Sequence, residues 1–291
     1  MNSTLESLHE SFEHFLSRIE PLQSEPTEEP HVENFEKFLG QCYSTIEETY
    51  RAPLELARIR LNPILKYLPE NNVDVLAIAG LQADEDRYTN LTAWMLTPHS
   101  IHPALADELQ KNWLDSIGIE VSDLTFPAEV STQVVTDDGI PDLILRFPER
   151  LVIVEAKTIS GEHPTPSGLM QTFAYPAAMR RYDRLPETFP VDIAFLTMDR
   201  SKPANSVAHA TTYIDFCLSA LTVLDENDIS EELRASWHSI VYHFLNHATP
   251  QDLDVFRVLQ ELEKNNWRVT SDLMARIDDV TTLLTLIGQR I

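Results

Sequence analysis

Cysteine is nearly absent: Cys42 and Cys217 are the two in 291 residues. Two thiols so far apart exclude a disulfide framework and a zinc cluster, and the expected compartment is a reducing cytoplasm. Long apolar runs are missing too. No stretch reaches the ~18 residues that would cross a bilayer, so no membrane partner is expected. The opening residues, MNSTLESLHESFEHF, are acidic and amphipathic, unlike a secretory signal or a transit peptide. No internal repeat or low-complexity tract stands out. The largest deficit is positive charge: 22 Lys and Arg stand against 46 Asp and Glu, a formal net charge of −24. Phosphate binding normally draws on Lys and Arg, which release counterions. A surface this acidic excludes broad, unaided adhesion to nucleic acid.

The deficit is uneven. Residues 1–80 carry 14 acids against 6 bases, residues 81–139 carry 11 against 2, and residues 205–291 carry 13 against 6. Residues 140–204 carry 8 of each and form the one neutral segment. The rest of the composition is ordinary for a globular protein, with 43% hydrophobic and 23% charged residues. The length allows one large core or two modest ones.

Taken in order, Leu5, Leu8, Phe12, Phe15, Leu16 and Ile19 fall at helical spacing, followed by a Pro- and Glu-rich break over Pro21–Pro30. His31–Tyr50 reads as a second helix, and Pro53 and Pro63 punctuate a further helical region ending near Leu68. Helical hairpins are expected there, serving packing or oligomerisation. A short apolar run over Val73–Gly80 precedes an amphipathic helix that begins among Asp84, Glu85 and Asp86 and stops before Pro98. Another helix is expected over Pro103–Ile117. Strands are then expected over Val130–Thr136, Leu143–Phe147, Leu151–Val154, Val191–Met198 and Thr211–Phe216, with a helix over Leu169–Tyr182 between the third and fourth. Asp137-Asp138-Gly139 makes a turn. After Cys217 the pattern returns to helix, over Ile229–His247, Asp252–Asn265 and Ser271–Ile287. The fold class is α/β, with a mixed sheet and a crossover helix. Three regions are expected: helical residues 1–72, a core over 73–217, and helical residues 218–291.

The chemistry concentrates in IPDLILRFPERLVIVEAK, Ile140–Lys157. Two apolar runs flank Pro148-Glu149-Arg150, the pattern of a β-hairpin. Alternation along a strand points Leu151, Ile153, Glu155 and Lys157 to one face. An apolar face that ends in a carboxylate and an ammonium calls for a functional reason.

Pro141-Asp142, twelve residues, then Glu155-Ala156-Lys157 resembles the core motif of the PD-(D/E)XK nuclease superfamily. Glu85 with Thr89, Ala93, Trp94 and Leu96 is similar to the E-x3-[ST]-x3-AW-x-L segment of one bacterial branch. Gln171 and Tyr175, which share a helix face, resemble its Q-x3-Y element. The resemblance covers about Leu81 to Phe216 and implies a restriction-endonuclease-like mixed sheet flanked by helices. It also implies metal-dependent phosphodiester hydrolysis, most plausibly by a DNA endonuclease in bacterial defence.

In that family the Asp and Glu bind magnesium, which prefers oxygen donors. Asp142, Glu155 and the Ala156 carbonyl would be ligands of Mg2+, or of Mn2+ as a substitute, with Glu85 completing the set. Lys157 would position the attacking water and stabilise the transition state. Gln171 would hold the water or the phosphate, and Tyr175 would support it. Plainer readings stand beside these: Asp142 as a turn acid, Glu155 and Lys157 as a solvated strand end, Glu85 as a first-turn acid, Gln171 as an exposed helix residue and Tyr175 as core. Asp84 or Asp86 could replace Glu85. His99 and His102 read as loop or capping residues, and His163 as a possible substrate contact. Besides nucleic acid, the helical ends would engage a second copy or a partner protein. A regulatory or assembly subunit, an RNA-cleaving nuclease, and an acidic mimic of DNA that occupies another protein's groove are the rival readings.

Overall fold

Val152 and Val154, at the middle of the hairpin, are fully buried, as are their neighbours Ile153 and Glu155. The strand that holds them is therefore covered on both faces, which is why it reads as a continuous apolar run. The computed structural model describes residues 30–66, 76, 85–98, 103–158, 161–247, 255–268 and 277–286. Its elements are α1 (Pro30–Lys66), α2 (Glu85–Leu96), α3 (Pro103–Ser116), β1 (Glu129–Thr132), β2 (Leu143–Arg146), β3 (Leu151–Lys157), α4 (Gln171–Tyr182), β4 (Val191–Thr197), β5 (His209–Thr212), α5 (Tyr213–Glu226), α6 (Glu231–His247), α7 (Val255–Lys264) and α8 (Ile277–Leu286).

The five strands lie in sequence order. β1, β2 and β3 pair antiparallel, and β3, β4 and β5 pair parallel. This is the expected mixed α/β sheet flanked by helices. The hairpin turn is closed by mutual backbone bonds: Phe147 N donates to Arg150 O at 2.9 Å, and Arg150 N donates to Phe147 O at 3.4 Å. α4 bridges the parallel strands β3 and β4, packing Ala174, Tyr175 and Met179 against Ile144, Leu151, Ile153 and Ile193. An aromatic cluster joins α2, α5 and α6, with Tyr88 stacked on Phe244 at 5.1 Å and edge-on to Tyr213 at 5.3 Å. Gln110 of α3 donates to Leu96 O and accepts from Ala128 N, tying α2 to the approach to β1.

Three expectations need correction. The first strand stops at Thr132, because Gln133 takes a left-handed φ of 50° that ends the extended run. The last strand stops at Thr212, and Tyr213–Phe216 opens α5 instead. A capping box decides it: Thr212 Oγ1 accepts from Asp215 N while Asp215 Oδ2 accepts from Thr212 N. The helical hairpin expected at Pro53 is a single helix of 37 residues. Tyr50, Leu54, Ala57, Leu61 and Ile64 form a buried stripe along it at spacings of four and three. Burying each large apolar side chain contributes about 1.5–3 kcal/mol, more in sum than the ~3 kcal/mol that each interior proline costs.

The chain divides into two units, Met1–Ile59 with Gln260–Ile291, and Arg60–Leu259. Boundaries drawn at residues 72 and 217 both fall inside the second unit. In the first, Tyr50 OH lies 2.6 Å from Thr281 Oγ1. The expected N-terminal helix, the break over residues 21–29 and the start of the last helix lie outside the described residues, as do His99 and His102.

Candidate active site

The hairpin register pairs Leu143 with Val154 and Ile144 with Ile153. One step further, it sets Asp142 opposite Glu155. Side chains opposite one another across an antiparallel pair share a face, and like charges there repel. Asp142 Oδ2 is fixed by the Ala156 amide at 2.8 Å. Glu155 has no exposed surface, and Lys157 of the same strand is 4% exposed.

Lys157 Nζ sits where the acids converge, 2.5 Å from Glu155 Oε1, 3.1 Å from Glu85 Oε1 and 3.8 Å from Asp142 Oδ2. It also donates to the Ala156 carbonyl at 3.1 Å. Glu85 arrives from the first turn of α2 and its second oxygen accepts from Thr158 N at 3.2 Å. Asp86 beside it is exposed, and Asp84 lies outside the described residues.

Burial governs the protonation of the group. It pushes the Asp142 carboxyl up to about 6 against the pull of Lys157. Burial, then the charge of Asp142, pushes Glu155 up to about 8. Burial alone would lower the Lys157 ammonium, but the charges of Glu155, Asp142 and Glu85 outweigh it and hold the group above its usual value. These charges favour the protonated ammonium of Lys157.

Gln171 and Tyr175 stand behind these charges. Gln171 Nε2 donates to Tyr175 OH at 3.0 Å, its Oε1 accepts from His163 N at 2.9 Å, and Tyr175 OH donates to Ile140 O at 3.4 Å. Burial, then the charge of Glu155, pushes the Tyr175 hydroxyl up to about 12. Gly139 makes this approach possible. Its φ is +127°, and a Cβ there would stand 3.0 Å from Tyr175 Cε1. His163 is exposed and reaches the group through its backbone, its amide donating to Gln171 Oε1 at 2.9 Å and its carbonyl accepting from Gln171 N at 3.2 Å.

Two contacts had no sequence signal. Asp138, expected as a turn residue, is 8% exposed and accepts from Ser167 N at 2.9 Å, clasping the β1–β2 loop to the loop before α4. Glu162 accepts from Thr172 N, Thr172 Oγ1 and Ala204 N, tying the start of α4 to the loop after β4. Both join segments remote in sequence.

Among the described residues, no trio of His, Cys, Asp or Glu stands arranged around an empty cation position; the acids face the ammonium of Lys157. The donor chemistry nonetheless suits a hard divalent cation. Three carboxylates and one ammonium carry a formal excess of two negative charges when ionised. Neither Glu155 oxygen accepts a well-directed hydrogen bond, despite the ion pair with Lys157. All available donors are oxygens. No protein-family model matches this chain, and neither a curated protein nor a solved structure matches it.

Proposed function

We propose that the chain is a metal-dependent nuclease with a restriction-endonuclease-like core, hydrolysing phosphodiesters, with DNA as the favoured substrate. The observation that carries this reading is the convergence of Glu85, Asp142 and Glu155 on Lys157 at the carboxyl end of β3, the central strand of the sheet. These residues come from α2, the start of β2 and the end of β3. Asp142, Glu155 and the Ala156 carbonyl would hold Mg2+ or Mn2+, with Glu85 alongside. The bound ion would supply a water of lowered pKa and Lewis-acid stabilisation of the phosphate oxygens.

The remaining work falls to the chain. Glu155, whose carboxyl is pushed up to about 8 in the metal-free protein, would give up its proton on ligation. Lys157 stays charged, and its ammonium stabilises negative charge growing on the phosphate oxygens in a site where water is excluded. Gln171 and Tyr175 hold the Ile140–Asp142 segment against the start of α4 and so fix the Asp142 carboxylate.

The test is incubation of purified protein with labelled single- and double-stranded DNA, and with matching RNA, in Mg2+ and in Mn2+. Metal-dependent cleavage is expected on DNA. Lys157→Ala should lower the rate by at least ~10²-fold. Preferential RNA cleavage would reassign the substrate, and no cleavage of either would refute the enzyme. The net charge of −24 favours a second reading, a nuclease-fold subunit acting through partner proteins. It predicts stable protein complexes that survive Lys157→Ala.

A further inference from the structure

A threonine inside a helix has a default hydrogen bond, because its hydroxyl reaches the carbonyl four residues earlier. Thr45, Thr49, Thr92, Thr222 and Thr281 all make it, at 2.8–2.9 Å. Thr89 of α2 does not. It is 2% exposed, and its Oγ1 has no hydrogen-bond partner.

Thr89 follows Glu85 by four residues, so the two share a face of α2. Helical side chains lean toward the N-terminus, which carries Thr89 toward the turn that holds Glu85. From this juxtaposition we infer that Thr89 is a positioning residue for Glu85: its hydroxyl donates to the Glu85 carboxylate when that carboxylate serves as a metal ligand. The inference rests on the nuclease reading and deepens it, naming the group that orients the ligand supplied from outside the hairpin. In this structure the Glu85 oxygens face Lys157 Nζ and Thr158 N. The bond therefore requires Glu85 to change partners, as ligation itself would.

Ordinary core packing does not account for this hydroxyl. A valine would fill nearly the same space with no unmet polar atom, so the buried hydroxyl is a cost unless it is used. Other unmet polar atoms lie close by. Neither Glu155 oxygen accepts a well-directed hydrogen bond, and Tyr213 OH, beside the Thr92 hydroxyl, finds no well-directed partner. Tyr213 packs edge-on against Tyr88, the neighbour of Thr89 in sequence. Burial raises the Tyr213 hydroxyl well above its usual range, and the charges of Asp142 and Glu85 add to the effect. The carboxylates of the site thus bear on the buried space that α2 lines. Ligating carboxylates are themselves held by hydrogen bonds, and such outer partners tune affinity for the ion.

The test measures Mn2+ binding by calorimetry and melting in EDTA, with DNA cleavage followed across Mn2+ concentration. Thr89→Val should weaken Mn2+ binding about tenfold, with Tm in EDTA unchanged or higher. Excess Mn2+ should restore most of its cleavage rate. Thr89→Ser keeps the donor and should bind Mn2+ as the wild type does. Thr92→Val removes a hydroxyl already bonded to Tyr88 O and should leave Mn2+ affinity unchanged. Wild-type Mn2+ affinity in Thr89→Val, a lower Tm in EDTA for that variant, or an equal loss of affinity in Thr89→Ser or Thr92→Val would overturn the positioning role and leave the nuclease intact. A wild-type chain that neither binds Mn2+ nor cleaves any nucleic acid would overturn both.

Discussion

Glu155 is the residue most at odds with its surroundings. It has no exposed surface, faces Asp142 across the hairpin, and has Lys157 as its ion-pair partner. Its folded pKa of about 8 lies above the ordinary 4.5, so the native chain holds a proton that the unfolded chain releases. Stability is therefore greatest below about pH 4.5 on account of this group and falls as pH rises towards about 8. Asp142 acts in the same sense up to about pH 6. Melting curves in EDTA should show Tm declining between pH 5 and pH 8. Glu155→Gln should flatten that decline, raising stability at pH 8 by on the order of 2–4 kcal/mol, while abolishing cleavage. Added Mn2+ should raise the wild-type Tm more at pH 8 than at pH 6, because ligation displaces protons. A wild-type Tm insensitive to pH over that range would mean the acids are not desolvated as described.

At the scale of elements, α1 shows tertiary burial overriding a local rule. Pro53 has no amide to bond the preceding turn, yet the helix continues through it because Tyr50, Leu54 and Ala57 are buried on one side. Pro53→Ala should restore the missing bond and stabilise the chain by about 1–3 kcal/mol, read as a higher urea midpoint with unchanged slope. An unchanged midpoint would mean that the proline is offset elsewhere, for example by rigidifying the unfolded chain. The start of α5 is the opposite case. There a local signal, Thr212 followed three residues later by Asp215, prevails over the β-branched and aromatic character of residues 211–216, which reads as a strand.

For the whole molecule, the balance of charge decides how the proposed nuclease could hold its substrate. With −24 overall and neutrality confined to residues 140–204, long-range attraction to phosphate is absent. Affinity for random-sequence DNA at 0.15 M salt should be weaker than the ~10⁻⁶ M end of the usual non-specific range. Lowering salt to 50 mM should improve it by less than the ~10³-fold typical of proteins that neutralise many phosphates. A steep salt slope would show a concentrated basic surface that the overall charge conceals. Weak intrinsic affinity also gives the partner-assisted reading its physical basis.

The sequence by itself determined the parts that depend on local pattern. Period-two alternation and the Pro148-Glu149 turn fixed the hairpin, and from the hairpin alone Glu155 and Lys157 shared a face. Helical spacing located α2, α3, α4 and α6 to within a few residues, and the acid-first turn of α2 placed Glu85 at its start. Tertiary structure decided everything that joins distant segments. Only packing could bring Glu85 within 3.1 Å of Lys157, 72 residues away, or tie Asp138 to Ser167 and Glu162 to Ala204. Neither protonation nor charge pairing could be read from residue types, because the desolvation that lifts Glu155 and the pairing of two arginines on Asp215 arise from burial and geometry. Those are properties of the folded chain, since water screens and solvates the same groups when it is extended.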